Sequence, residues 1–279
     1  MAITNIVSFV NNVPWAMTPA GIASLVMTLD SKLNNTEAYQ TMVALEQRSD
    51  FGDKMSSNWE YSNFKSNSGR NYDYLKVSGT LVPRTGSMQP MCGMTPTISL
   101  AEMISTCQAE CLILHADSGG GSIMGIPELA SAINKLVLGG TEVIAYTDTK
   151  MASAMYWACS PASQIIASPS AIVGSLGVYS VLTKTKTCGD SESMVIKAGD
   201  KKAYGSPDLA ITEEEVASIQ ERVTATYNKM CGEVAQYRGC SVDEIIGTQA
   251  DYYNGDVAPS FLVDGVMTLS ELLTKAKES

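Results

Sequence analysis

A chain of 279 residues with 45% hydrophobic and 17% charged side chains can bury one large core, and its 22 glycines and 10 prolines exclude collagen-like and disordered classes. A formal charge of −10 with no basic cluster argues against a phosphate-backbone partner, so no nucleic acid is expected. Seven cysteines (Cys92, Cys107, Cys111, Cys159, Cys188, Cys231, Cys240) have no paired CxxC spacing, and one histidine is too few for the usual zinc sets, so the thiols read as reduced cytoplasmic residues and no metal is expected.

Met1 to Pro14 carries no basic region before its short apolar run, and no stretch approaches the ~18 apolar residues of a membrane span, so neither secretion nor a membrane partner is expected. From Val13 to about Leu33, Ala20, Ile22, Leu25, Val26 and Leu29 recur at helical spacings behind Thr18 and Pro19, which predicts an N-terminal helical arm. Asn34 to Asn71 is polar and lacks a sustained apolar period, so residues 1–71 read as arm and linker, with the compact domain at 72–279. Short β-rich runs then alternate with helical patterns. They are a strand Leu75 to Val82, a helix Ser99 to Cys107, a strand Cys111 to Ala116, a helix Ile126 to Val137 stopped by Gly139 and Gly140, and a strand Glu142 to Thr147. A helix from Ala152, a strand Gln164 to Ala167 and apolar runs Leu176 to Leu182 and Ser193 to Ile196 follow. This is the rhythm of parallel βαβ units, hence an α/β fold. Thr212 and Glu215 have capping-box spacing before a helix reaching about Met230, and Leu269 to Ala276 closes the chain.

Asp117-Ser118-Gly119-Gly120-Gly121-Ser122 joins a strand to a helix. Such a loop turns tightly and aims free N–H groups at a negative oxygen, although a plain connecting turn has the same composition. Neither a Walker lysine nor GxGxxG spacing accompanies it, which argues against a nucleotide. Further on, Ser153 lies between Ala152 and Ala154 at the mouth of a helix, as a nucleophile with the Ala154 N–H beside it or as a helix cap. A Ser–His–Asp triad would have to use His115, which lies inside an apolar strand and reads as a core histidine. A serine enzyme here therefore needs a lysine base, whose amine is neutral when desolvated. Lys184, Lys186, Lys197, Lys201 and Lys202 are candidates, and residue pattern alone leaves the choice among Lys201 and Lys202 open.

The Asp117 to Gly121 loop, Ala152 to Trp157, Val173-Gly174-Ser175-Leu176-Gly177-Val178 and Ile196 to Pro207, in that order, resemble the signal peptide peptidase A family of Ser/Lys peptidases. Val13-Pro14-Trp15-Ala16-Met17, Ser153-Ala154-Met155-Tyr156-Trp157 and the Tyr252 to Leu273 section are most similar to its bacteriophage head maturation proteases. The resemblance implies Ser153 as nucleophile, Lys202 (with Lys201 as fallback) as base, Ser175 as the lysine's hydrogen-bond partner, and an oxyanion hole from Gly120 or Gly121 with Ala154. It implies a spiral ββα core of the caseinolytic protease and crotonase type, no cofactor, capsid or scaffolding proteins as substrates, a ring of copies, and the bacterial host cytoplasm or prohead as location. Family members carry proline after the loop serine, where this chain has Gly119. A catalytically silent capsid-assembly component and a crotonase-like acyl-CoA enzyme are the alternatives.

Overall fold

Where a chain leaves one sheet for another within a residue or two, the backbone must turn sharply, and glycine is the residue that permits it. The computed structural model describes residues 15–17, 59–84, 93–182, 195–206 and 209–279. Its first strands are β1 (Trp15–Met17), β2 (Trp59–Lys65), β3 (Asn71–Ser78), β4 (Thr80–Val82) and β5 (Met94–Pro96). The run Leu75 to Val82, expected as one strand, is divided between β3 and β4 at Gly79, whose φ is 99° and where a Cβ would overlap the Gly93 carbonyl.

After α1 (Thr97–Ser105) the same two-strand step repeats. β6 (Cys111–Asp117) and β7 (Gly120–Ser122) lead to α2 (Ile126–Leu138); β8 (Glu142–Thr147) and β9 (Lys150–Ala152) lead to α3 (Ala154–Cys159); β10 (Gln164–Ala167) and β11 (Ile172–Gly174) follow. A 3-10 turn (Asp200–Ala203), α4 (Glu213–Arg238), α5 (Val242–Gly247), β12 (Tyr252–Asn254), β13 (Gly265–Val266) and α6 (Leu269–Glu278) complete the order. The first strand of each pair enters a six-stranded sheet ordered β13-β10-β8-β6-β3-β2, parallel except for β2 against β3. The second strand peels away into a smaller sheet, β1-β7-β4-β5 or β12-β11-β9. This is the expected α/β, spiral ββα architecture.

Both faces of the large sheet are covered, so its central strand is apolar on successive residues. Leu112, Leu114 and Ala116 of β6 face a core shared with Leu100, Ile104, Leu129 and Ile133 of α1 and α2. Cys111 and Ile113 face Leu272 and Ala276 of α6. Each fully buried Leu or Ile contributes about 1.5–3 kcal/mol. The helix starts are legible locally: Thr212 Oγ1 accepts from the Glu215 N–H at 3.1 Å, and Ser241–Glu244 and Thr268–Glu271 form reciprocal capping boxes.

Several expected elements differ. Trp15–Met17, assigned to the helical arm, is a strand, while residues 18–33 lie outside the described residues. Trp59–Lys65, assigned to the polar connection, is an edge strand. It needs no apolar period because its ladder to β3, Phe64 stacked on Tyr72 at 5.0 Å and a 2.8 Å hydrogen bond from Tyr61 to Asp73 hold it. The helix expected from Ala152 begins at Ala154, because Lys150–Ala152 is drawn into β9 by its parallel partner β11. Residues 175–182 form no extended strand, Val195 and Ile196 are exposed, and Ser193 and Met194 lie outside the described residues.

Gly121 lies where β7 crosses β4, and a Cβ there would overlap the backbone N and O of Leu81. Gly121→Ala is therefore expected to cost at least about 1–3 kcal/mol, read as a lower urea midpoint at unchanged m-value. A midpoint equal to the parent's would show that the approach is not obligatory.

Candidate active site

Ser153 occupies the position before α3 where a serine usually caps a helix, but it does not cap. Its φ is 56° and ψ −121°, and its side chain accepts no hydrogen bond from the helix. A residue with a Cβ held at this φ carries backbone strain of about 1–3 kcal/mol, sustained only where surrounding contacts impose it. Those contacts are visible. The Ser153 N–H donates to the Gly174 carbonyl at 2.7 Å, and the Trp157 N–H donates to the Ser153 carbonyl at 2.9 Å. Below the serine, all of α3 is buried, anchored by Tyr156 Oη donating to the Leu262 carbonyl at 2.8 Å and Trp157 Nε1 donating to Glu233 at 2.9 Å.

The glycine loop is tied to the same place. The Ser118 N–H donates to the Lys150 carbonyl at 2.8 Å and the Ala152 N–H to the Ser118 carbonyl at 3.1 Å, so the chain entering Gly119 is clamped to the chain entering Ser153. Ser118 Oγ donates to the Gly79 carbonyl at 2.5 Å and accepts from the Gly120 N–H at 3.2 Å. Gly120 has a φ of 97°, open to glycine and strained for any other residue. Gly120 and Gly121 form β7 itself, between β1 and β4. The Ala154 N–H, first in its helix, has no partner within that helix.

Ser175 is brought near Ser153 by the fold. It follows Gly174, which holds Ser153, and its own φ is 53° with its N–H donating to the Asp251 carbonyl at 2.7 Å. The Ser153 hydroxyl lies 3.5 Å from the Gly177 carbonyl, two residues beyond Ser175. Lys202 lies exposed on the 3-10 turn, and neither its amine nor that of Lys201 makes a hydrogen bond or ion pair, with Ser153 or any other group, among the described residues. That turn is moored to α4 by a short hydrogen bond from the Gly205 N–H to the buried Glu215 carboxylate.

Rival nucleophiles and bases are occupied. His115 is 2% exposed, with Nδ1 2.5 Å from Tyr74 Oη and Nε2 2.9 Å from Asp148 Oδ1, leaving no ring nitrogen for Ser153. Burial pushes the Cys111 and Cys159 thiols up to about 12 and Cys107 to about 11, far from the thiolate range of a nucleophile at neutral pH.

The profile of peptidase family S49 matches residues 138–279. The chain belongs to that family. The matched stretch holds Ser153, Ser175, Lys201 and Lys202, while the glycine loop precedes it. Among curated relatives, the chain is 27% identical over 213 residues to "Capsid assembly protease C" of Escherichia phage lambda, covering 74% of this chain and 48% of that protein. It is 30% identical over 190 residues to "Head-tail preconnector protein GP5" of Enterobacteria phage P21, covering 65% of this chain and 37% of that protein. The chain thus spans about half or less of the length of these relatives. A ClpP1 mutant from Listeria monocytogenes aligns with a TM-score of 0.44 at 12% identity, over 71% of this chain and 92% of the other.

Two groups that frame this site are not marked by residue pattern alone. Ser118 was visible only as part of a glycine loop, since its bracing of Gly79 and Gly120 joins residues 39 positions apart and 2 apart. Asp251, which fixes Ser175 through its carbonyl, follows Gln249 and Ala250, whose positive φ values of 51° and 58° have no compositional signal.

If Ser153 is strained as its backbone angles indicate, Ser153→Gly is expected to be about 1 kcal/mol more stable than Ser153→Ala, because relief of strain exceeds glycine's entropic cost of about 0.5–1 kcal/mol. Urea denaturation of both variants checks this, and the reverse order would exclude strain at the position.

Proposed function

We propose that the chain is a serine endopeptidase in which Ser153 is the nucleophile and Lys202 the general base. The observation that carries this reading is a serine at a helix mouth that does not cap, forced to a φ of 56° and clamped beside a glycine loop. Membership of a peptidase family supports it, and the full occupation of His115 leaves a lysine as the base available to that serine.

In this reading the neutral lysine amine takes the proton from Ser153 Oγ as the oxygen attacks a peptide carbonyl carbon. The tetrahedral oxyanion is held by the Ala154 N–H and a backbone N–H of Gly120 or Gly121, each worth about 3–4 kcal/mol. The C–N bond then breaks, the lysine returns its proton to the leaving amine, and water hydrolyses the Ser153 ester. Ser175 orients the lysine amine. No cofactor takes part.

Lys202 lies exposed on the 3-10 turn without a hydrogen bond or ion pair among the described residues, and in this reading its amine serves Ser153 of a neighbouring copy in a ring-like assembly. The relatives' names, a capsid assembly protease and a head-tail preconnector protein, point to capsid-assembly proteins as substrates. Membership of a peptidase family weighs against the acyl-CoA alternative. A silent assembly component would retain the fold without cleaving anything.

Ser153→Ala is expected to abolish cleavage of casein or a co-expressed capsid protein, and Lys202→Ala to lower kcat about 10²–10⁴-fold, with Lys201→Ala within a few-fold of the parent. Undiminished cleavage by the Ser153 or Lys202 variant, or a parent that cleaves nothing, would defeat the assignment.

A further inference from the structure

β7 has two edges, and they are used differently. One is paired in parallel with β4 at Leu81↔Gly121. The other is paired antiparallel with β1, in the register Trp15↔Ser122, Ala16↔Gly121 and Met17↔Gly120. β1 is the end strand of its sheet, and it is the element of that sheet furthest in sequence from its partner. Without it, β7 would present a row of unpaired backbone groups directly beside the clamp that holds Ser153.

An extended peptide recognises a strand edge by adding to it as another strand, with main-chain hydrogen bonds that are largely independent of sequence. An edge formed by Gly120, Gly121 and Ser122 suits this, since small residues let a second backbone approach closely. We infer that Trp15–Met17 is an internal competitor: it occupies the β7 edge on which an extended peptide adds, and it must leave before a peptide can lie against Ser153. The inference rests on the peptidase reading of that site.

Two further observations agree. The pairing is only three residues long, and an isolated pairing that short is readily exchanged. Proline stands at positions 14 and 19, and a residue with no N–H to donate limits how far the ladder can grow on either side.

The test uses the full chain carrying Ser153→Ala, so that binding is read without a working nucleophile. The probe is a fluorescein-labelled peptide with the sequence of residues 11–20, followed by fluorescence anisotropy. Successive N–H groups of a strand point to opposite sides, so one of Ala16→Pro and Met17→Pro removes a ladder bond and the other is its control. That one variant is expected to bind the peptide at least about tenfold more tightly than the parent. Amide exchange at whichever of Gly121 and Ser122 has its N–H toward β1 should quicken in the same variant and slow again on adding peptide, with exchange in Cys111–Asp117 unchanged as the check on folding. Unchanged peptide affinity in both proline variants, or no peptide binding at all, would overturn the inference. A chain that binds in this way but fails to cleave with Ser153 intact would instead sink the peptidase reading and leave the strand competition standing.

Discussion

One hydrogen bond, from the Ser153 N–H to the Gly174 carbonyl at 2.7 Å, fixes the geometry on which the site depends. It joins the start of α3 to the end of β11, and it is made only because β9 and β11 run parallel in the register Gly174↔Ala152. That register holds the serine in a conformation its Cβ disfavours, and the strain is offset by the buried helix behind it. Trp157, Tyr156 and the remaining residues of α3 are sealed in the core, so the serine cannot relax by sliding into an ordinary cap without disturbing them.

The ββα repeat turns this local constraint into a site. Each repeat sends its first strand to the large sheet and its second to a smaller one, and the points of departure fall at Gly79, Ser118–Gly119, Asp148–Thr149 and Ser168–Ala171. Ser118 lies at one such point and is bonded both to the preceding repeat, through Gly79, and to the following one, through Lys150 and Ala152. The glycine loop and the serine are thereby set side by side. The lysine turn is moored separately, to α4 through Glu215.

Much of this was legible in sequence. The strands Cys111–Asp117, Glu142–Thr147 and Gln164–Ala167 announce themselves by continuous burial-type residues, and Thr212 with Glu215 marks a helix start that the structure contains. The glycine loop and Ser153 were legible as candidates because small residues at a strand-to-helix junction are few. What composition could not carry was partnership. Trp15–Met17 follows a proline and precedes a helical pattern, and only the distant β7 edge makes it a strand. Trp59–Lys65 is mostly exposed and polar, so nothing local distinguishes it from a linker until β3 supplies its ladder. The cap reading and the nucleophile reading of Ser153 share every residue, and they separate only in φ, which depends on a carbonyl 21 positions away.

A nucleophilic Ser153 differs in reactivity from an ordinary serine hydroxyl, and a fluorophosphonate probe reads that property directly. Mass spectrometry of the digested adduct is expected to find one modified site, Ser153, with loss of labelling when Lys202 is replaced by alanine. Labelling spread over several serines, or none at Ser153 in the assembled protein, would contradict the claim.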